Sequence, residues 1–219
     1  MGIRILSVLA ALCAAVCAAP VAALAAPPVP PVSDTARAAG LVDVRTVVPD
    51  AVIDLRYATP NNFVGVPLYP ADARCLVHES MGQGLAAAAA VLRPRGEVLM
   101  FWDCYRPHDV QVRMFDAVPD PNWVARPGPY SRSHEAGRSV DVTIANAGGP
   151  VDMGTDFDDF TSRALAYASD GVSPAAQANR ARLRDAMNAG GLTVYKGEWW
   201  HFDTRDAYEK RPILNVPVN

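Results

Sequence analysis

His134 and Asp141 are separated by six residues in Ser-His-Glu-Ala-Gly-Arg-Ser-Val-Asp, and Glu198-Trp199-Trp200-His201 follows late in the chain. Together they supply two imidazoles, one carboxylate suited to ligation and one spare carboxylate. A catalytic zinc ion takes three protein ligands and keeps a fourth position for water. The spare carboxylate is what a metal-assisted hydrolysis needs to take a proton from that water. His134, Asp141 and His201 are therefore the candidate ligands of one Zn2+ per chain, and Glu198 is the candidate base. Singly, each has an ordinary alternative: a hydrogen-bonded buried histidine, or a surface acid. The metal reading rests on the set.

The elements that must position these residues can be read from pattern. Ser139–Ile144 alternates, with Val140, Val142 and Ile144 on one face of a strand and Asp141 on the other. Gly137 allows a tight turn between His134 and that strand. Glu198 and His201 are three apart, so a regular strand would place them on opposite faces, and one of them sits at a strand end or a bulge if both face the metal. Glu97–Trp102 is a short apolar run expected as a buried strand, and Arg106-Pro107 opens a helix. Arg106, held at that junction, has the charge to stabilise an oxyanion, or else to make a structural ion pair. Further elements are expected as a strand over 51–57, helices over 79–92, 160–168 and 174–189, and short strands over 192–195 and 199–202. The three prolines among residues 120–130 demand an irregular loop. His78 and His108 fall at helix starts and are taken as structural or exposed. Trp199 and Trp200 are expected as core and cleft wall. Helices and strands mix without a βαβ alternation, which predicts an α+β fold: a single compact domain with a small, mostly antiparallel sheet, flanking helices and a zinc cleft.

The 219 residues, 50% hydrophobic and 20% charged, suit one domain with a true core. Residues 1–25 read as a signal peptide: Arg4, an apolar stretch from Ile5, and the small-x-small Ala23-Leu24-Ala25. The apolar part is short for a bilayer span and is broken by Pro20, and a retained anchor is the alternative. A Pro/Ala-rich linker over 26–40 leads into a domain over 41–219. Export makes the location periplasmic or secreted, with no membrane span in the mature chain. The net charge of −3 argues against nucleic acid as a partner. Cys75 and Cys104 lie beyond the leader, and in an oxidising compartment they read as one disulfide; two buried thiols or a cysteine ligand are the alternatives.

Several motifs in order give the mature chain a resemblance to the D-alanyl-D-alanine dipeptidases, zinc peptidases that include the vancomycin-resistance dipeptidases. They are Asp54-Leu-Arg-Tyr-Ala-Thr-Pro-Asn-Asn-Phe63, Asp103-Cys-Tyr-Arg-Pro107, Ser133-His134 through Asp141, Asp152-Met-Gly-Thr-Asp-Phe157, Asn179-Arg180 and Glu198-Trp-Trp-His201. The resemblance implies His134, Asp141 and His201 as zinc ligands, Glu198 as base and Arg106 near the scissile carbonyl. It also implies Tyr57 and Asp152 near the substrate's amino end and Ser133 near its carboxylate end. Where that family usually has Ser-Arg-Gly after the first ligand, this chain has Glu135-Ala136-Gly137, a change that bears on substrate preference. The expected activity is hydrolysis of D-Ala-D-Ala or a related small dipeptide from wall metabolism. A carboxypeptidase or endopeptidase acting on peptidoglycan stems, and a non-catalytic wall-binding module with structural zinc, are the alternatives.

Overall fold

The computed structural model describes residues 28–219, so the leader read over 1–25 lies outside the described residues. In chain order the main elements are α1 (Asp34–Ala38), β1 (Leu41–Asp43), β2 (Val52–Ile53), β3 (Leu76–His78), α2 (Gly82–Leu92), β4 (Val98–Asp103), α3 (His108–Ala117), β5 (Ser139–Asn146), β6 (Gly149–Pro150), α4 (Pro174–Ala189), β7 (Thr193–Val194) and β8 (His201–Asp203). Strands run β2-β4-β5-β8-β7 in the main sheet, with β6 on the end of β5, while β1 and β3 pair separately. Only β2 and β4 run parallel; the other pairs are antiparallel. This is the mixed single domain with a small, mostly antiparallel sheet that the sequence predicts.

The central strand explains where the site lies. β5 is buried along all but its last residue, because its apolar face meets the core and its polar face meets the cleft. Cross-strand register places Asp141 beside Asp103 of β4 on one side and His201 of β8 on the other. Three polar residues from distant parts of the chain thus become neighbours on one sheet. Helices α2 and α4 close the opposite side. A Cβ on Gly190 would lie 2.1 Å from the Gly84 carbonyl oxygen, so the two helix ends meet where only glycine fits. α4 starts as expected: the Ser173 hydroxyl accepts from the Ala176 amide, Pro174 fills the first turn, and Gly190 ends the helix.

Three stretches differ from expectation, each because tertiary partners claim the backbone. The strand over 51–57 is only two residues long; the chain then coils into a single turn at Arg56–Ala58, and the Tyr57 carbonyl accepts from Leu68 and Tyr69. The expected helix over 160–168 is a single turn at Ser162–Ala164. Its carbonyls serve other segments: Ala164 accepts from Trp199, Arg163 and Leu165 from Arg180, and Ala166 from Arg184. Within the linker expected over 26–40, residues 34–38 form α1, capped by the Ser33 hydroxyl, and Arg74 donates to the carbonyls of Pro30 and Pro31. That stretch is fastened to the domain. Among the described residues no helix is long and apolar enough to cross a membrane.

Cys75 and Cys104 are bridged, with 29 residues of separation, tying the start of β3 to the end of β4. Replacing both with alanine is expected to cost roughly 3–4 kcal/mol of stability by the loop-entropy argument. Urea unfolding of the double variant measures this; an unchanged midpoint would show that the bridge adds nothing.

Candidate active site

His134 sits in a short turn, Ser133–Ala136, that ends at Gly137 with φ +65°. A side chain at Gly137 would strike Leu41 at 2.7 Å, so the turn needs glycine for its conformation and for its close approach to β1. The turn lays the His134 ring against the end of β4, where Nδ1 lies 2.8 Å from the Cys104 carbonyl oxygen. A carbonyl only accepts, so Nδ1 carries the proton and Nε2 presents a lone pair. His201 opens β8, and Glu198 precedes the strand in the turn after Tyr195. That resolves the spacing problem: Glu198 is the residue off the strand.

The three candidate ligand atoms converge. His134 Nε2 and His201 Nδ1 are 3.0 Å apart, His201 Nδ1 and Asp141 Oδ1 are 3.1 Å apart, and His134 Nε2 and Asp141 Oδ1 are 3.3 Å apart. Tetrahedral bonds of about 2.0 Å place ligand atoms about 3.3 Å from one another. The donor set and its spacing therefore fit a zinc ion. Charge supports the same conclusion. Burial opposes a charge on His201, yet Asp203 and Asp141 hold its pKa well above the usual imidazole range. Burial also works against ionised Asp141, but His134 and His201 keep it well below the ordinary carboxylate value. The pocket thus favours a cation between these groups, and a dication can replace the proton held there.

Around this centre runs a cleft of about 330 Å³, lined by Tyr57, Arg106, Ser133, Asp158, Glu198 and Trp200 among others. The Glu198 carboxylate lies 3.8 Å from His201 Nδ1, retains 23% exposure, and has no hydrogen-bond partner among the described residues. Burial, with Asp141 adding to it against His201, pushes its pKa up to about 7. Arg106 is buried and held from two sides: Nε and Nη2 donate to Asp103 Oδ2, and Nη1 donates to Gln111 Oε1. Three of its five N–H groups are used, which leaves two for a ligand. Its guanidinium also lies over the Tyr57 ring, 5.3 Å from the centroid. The structural ion pair and the position in the cleft thus coexist.

Of the expected substrate residues, Tyr57 and Ser133 line the cleft and Asp152 does not. Asp152 is exposed, lies outside the cleft lining, and spends Oδ1 on the Gly154 amide. The carboxylate that does face the cleft is Asp158, which accepts from the Tyr57 hydroxyl at 2.9 Å and has φ +55°. Burial and the nearby Asp141 and Glu198 raise its pKa well above the usual value, so it is short of a cation. Ser133 does line the cleft, but its amide donates to Ala207 and its hydroxyl lies 2.9 Å from that of Ser139. Arg126 and Arg132 line the same cleft and supply positive charge. Glu135 is buried and bonded to His108 at 2.5 Å, so the acid that departs from the family pattern has its own partner. Sequence reasoning also missed Asp103 and Asp203, the acids that hold Arg106 and His201. Both lie close in sequence to the residues they hold, Asp103 three before Arg106 and Asp203 two after His201 on the same face of β8, so the signal was local and was passed over.

A mixed sheet that brings three residues able to hold a metal beside a spare carboxylate and a fixed guanidinium has the parts of a metal-dependent hydrolase. The family model described as D-ala-D-ala dipeptidase matches residues 37–219, and the chain belongs to that family of metallopeptidases. It is similar to the D-alanyl-D-alanine dipeptidase of Escherichia coli (strain K12), with 37% identity over 177 residues, 80% of this chain and 89% of the relative. It is also similar to the D-alanyl-D-alanine dipeptidase of Enterococcus faecium, at 29% identity over 185 residues, 75% of this chain and 91% of the relative. Among solved structures, a vancomycin-resistance D,D-pentapeptidase mutant in complex with Zn(II) matches with a TM-score of 0.38 and 15% identity, over 59% of this chain and 72% of that one.

Proposed function

We propose that this protein is an exported zinc dipeptidase that cleaves D-Ala-D-Ala, or a closely related dipeptide from wall metabolism, in the periplasm or outside the cell. The convergence of His134, Asp141 and His201 beside an unpartnered Glu198 carries the proposal. A zinc ion bound there supplies Lewis acidity, which acidifies water and polarises a carbonyl. Glu198 accepts the water's proton and returns it to the leaving amine. The two free N–H groups of Arg106 meet the carbonyl oxygen as charge builds on it. Asp158, fixed by Tyr57, takes the substrate's ammonium, and Arg132 next to Ser133 in the chain offers a cation to its carboxylate. The cleft is walled on one side by Trp123 stacked on Phe160 at 5.3 Å, with Phe63 against the same ring, which suits a short substrate over a cross-linked stem.

Turnover of zinc-loaded protein on D-Ala-D-Ala, L-Ala-L-Ala and a muropeptide tests the proposal; cleavage of the muropeptide alone would replace it with the stem-peptidase alternative. Metal analysis should find about one zinc per chain. Full activity in metal-free protein would end the metal mechanism.

The amino-end assignment makes a further test. N-acetylation of the dipeptide should lower kcat/KM by about tenfold to a hundredfold, since it removes the cation that Asp158 is short of. Asp158→Ala should slow the free dipeptide and narrow its lead over the acetylated one, whereas Asp152→Ala should change that ratio little. Equal rates on free and blocked substrates would overturn the ammonium subsite while leaving the zinc centre standing.

A further inference from the structure

We propose that Asp203 is a positioning residue for the metal centre: it accepts the Nε2 proton of His201 and so fixes the tautomer that leaves Nδ1 free to ligate. The inference rests on the zinc reading above. Asp203 Oδ1 lies 2.8 Å from His201 Nε2, on the side of the ring opposite the converging ligand atoms. An imidazole has one proton to place when neutral, and a strong acceptor at Nε2 keeps it there. Without that acceptor the proton can move to Nδ1, which cannot then donate its lone pair to a metal.

Asp203 is itself held. The Ser139 hydroxyl donates to Oδ1 at 2.5 Å, and the Tyr208 hydroxyl donates to Oδ2 at 2.9 Å. Ser139 is its partner in register on β5, and Thr193 pairs with it from β7, so the residue sits inside the sheet with strands on both sides. It is 7% exposed and His201 is 6% exposed, so water competes little for either group. The arrangement accounts for three buried polar side chains, Asp203, Ser139 and His201, that would otherwise burden the sheet.

The two histidine ligands are therefore supported differently. His134 donates to a neutral backbone carbonyl, and His201 donates to a carboxylate. A carboxylate behind a ligating imidazole makes it more basic as well as better oriented, and losing such a partner typically costs 10–100-fold in metal affinity or activity. His201 is thus the ligand whose strength the fold tunes, through Asp203 and, behind it, Ser139 and Tyr208.

The test is zinc affinity by competition with a chromophoric chelator, alongside the visible spectrum of the cobalt-substituted protein and thermal melting of the metal-free form. Asp203→Ala is expected to weaken zinc binding by about 10–100-fold and to alter the cobalt bands. Asp203→Asn should fall between it and the wild type, because the amide oxygen still accepts from Nε2 but without charge. Tyr208→Phe should cause a smaller loss. Should Asp203→Ala not fold, Asp203→Asn decides the matter. Wild-type affinity and an unchanged cobalt spectrum in a folded Asp203 variant would overturn the inference. A wild-type protein that binds no zinc would overturn the metal reading with it, so the two failures are told apart by the wild type alone.

Discussion

Replacing Glu198 with glutamine or alanine is expected to lower kcat by about 10²–10⁴-fold, or roughly 3–5 kcal/mol of barrier, with zinc content unchanged. The geometry separates this residue from the ligands. Its nearer carboxylate oxygen is 3.8 Å from His201 Nδ1, while the three ligand atoms are 3.0–3.3 Å from one another. It also has no hydrogen-bond partner among the described residues, so its lone pairs are free to receive a proton. The pH profile should carry the same signature. Burial raises the Glu198 pKa to about 7, and a zinc dication beside it would draw the value back down. A base works only when ionised, so kcat/KM should fall as pH drops through that folded pKa, with the acid limb at or below about pH 7. Metal analysis and steady-state kinetics of Glu198→Gln check this together. Loss of zinc from the variant would make Glu198 a ligand, and a wild-type kcat would remove it from proton transfer.

How much of this was legible depended on whether the signal was local. Residue type carries ligand chemistry, so His134, Asp141 and His201 could be picked out with no knowledge of the fold, and alternation along β5 put Asp141 on the polar face. Helix 174–189 was legible because its cap Ser173, first-turn Pro174 and terminal glycines from Gly190 are all adjacent to it in sequence. The acid facing the substrate was not. Asp152, Asp156, Asp158 and Asp159 crowd one irregular loop with no periodicity to select among them. Asp158 is chosen by the Tyr57 hydroxyl, a hundred residues away in the chain. The failed helix at 160–168 has the same origin. Its local propensity is adequate, but Trp199, Arg180 and Arg184 reach its carbonyls from elements that only the folded chain brings near.

Arg106 should show the next largest effect, and its surroundings dictate how it must be tested. Removing a donor that meets a developing oxyanion typically costs 10²–10³-fold in kcat, and Arg106→Ala is expected to lose about that much. The same substitution strands Asp103, which is 0% exposed and already commits Oδ1 to the Tyr69 hydroxyl. Leaving a buried charge without its partner costs about 3–5 kcal/mol, so loss of fold could masquerade as loss of catalysis. Asp103→Asn separates the two. It keeps an oxygen facing Arg106 and removes the charge that would be stranded, so the double variant Asp103→Asn/Arg106→Ala should melt closer to the wild type than Arg106→Ala alone. Its kcat should stay as low as that of the single arginine variant. Arg106→Lys is a sharper probe still. A single ammonium cannot reproduce the fork that grips Asp103 and Gln111 while leaving two N–H groups for substrate. It should therefore restore much of the stability and little of the rate. A stable double variant with wild-type kcat would show that Arg106 serves only to pair Asp103 and has no part in stabilising the oxyanion.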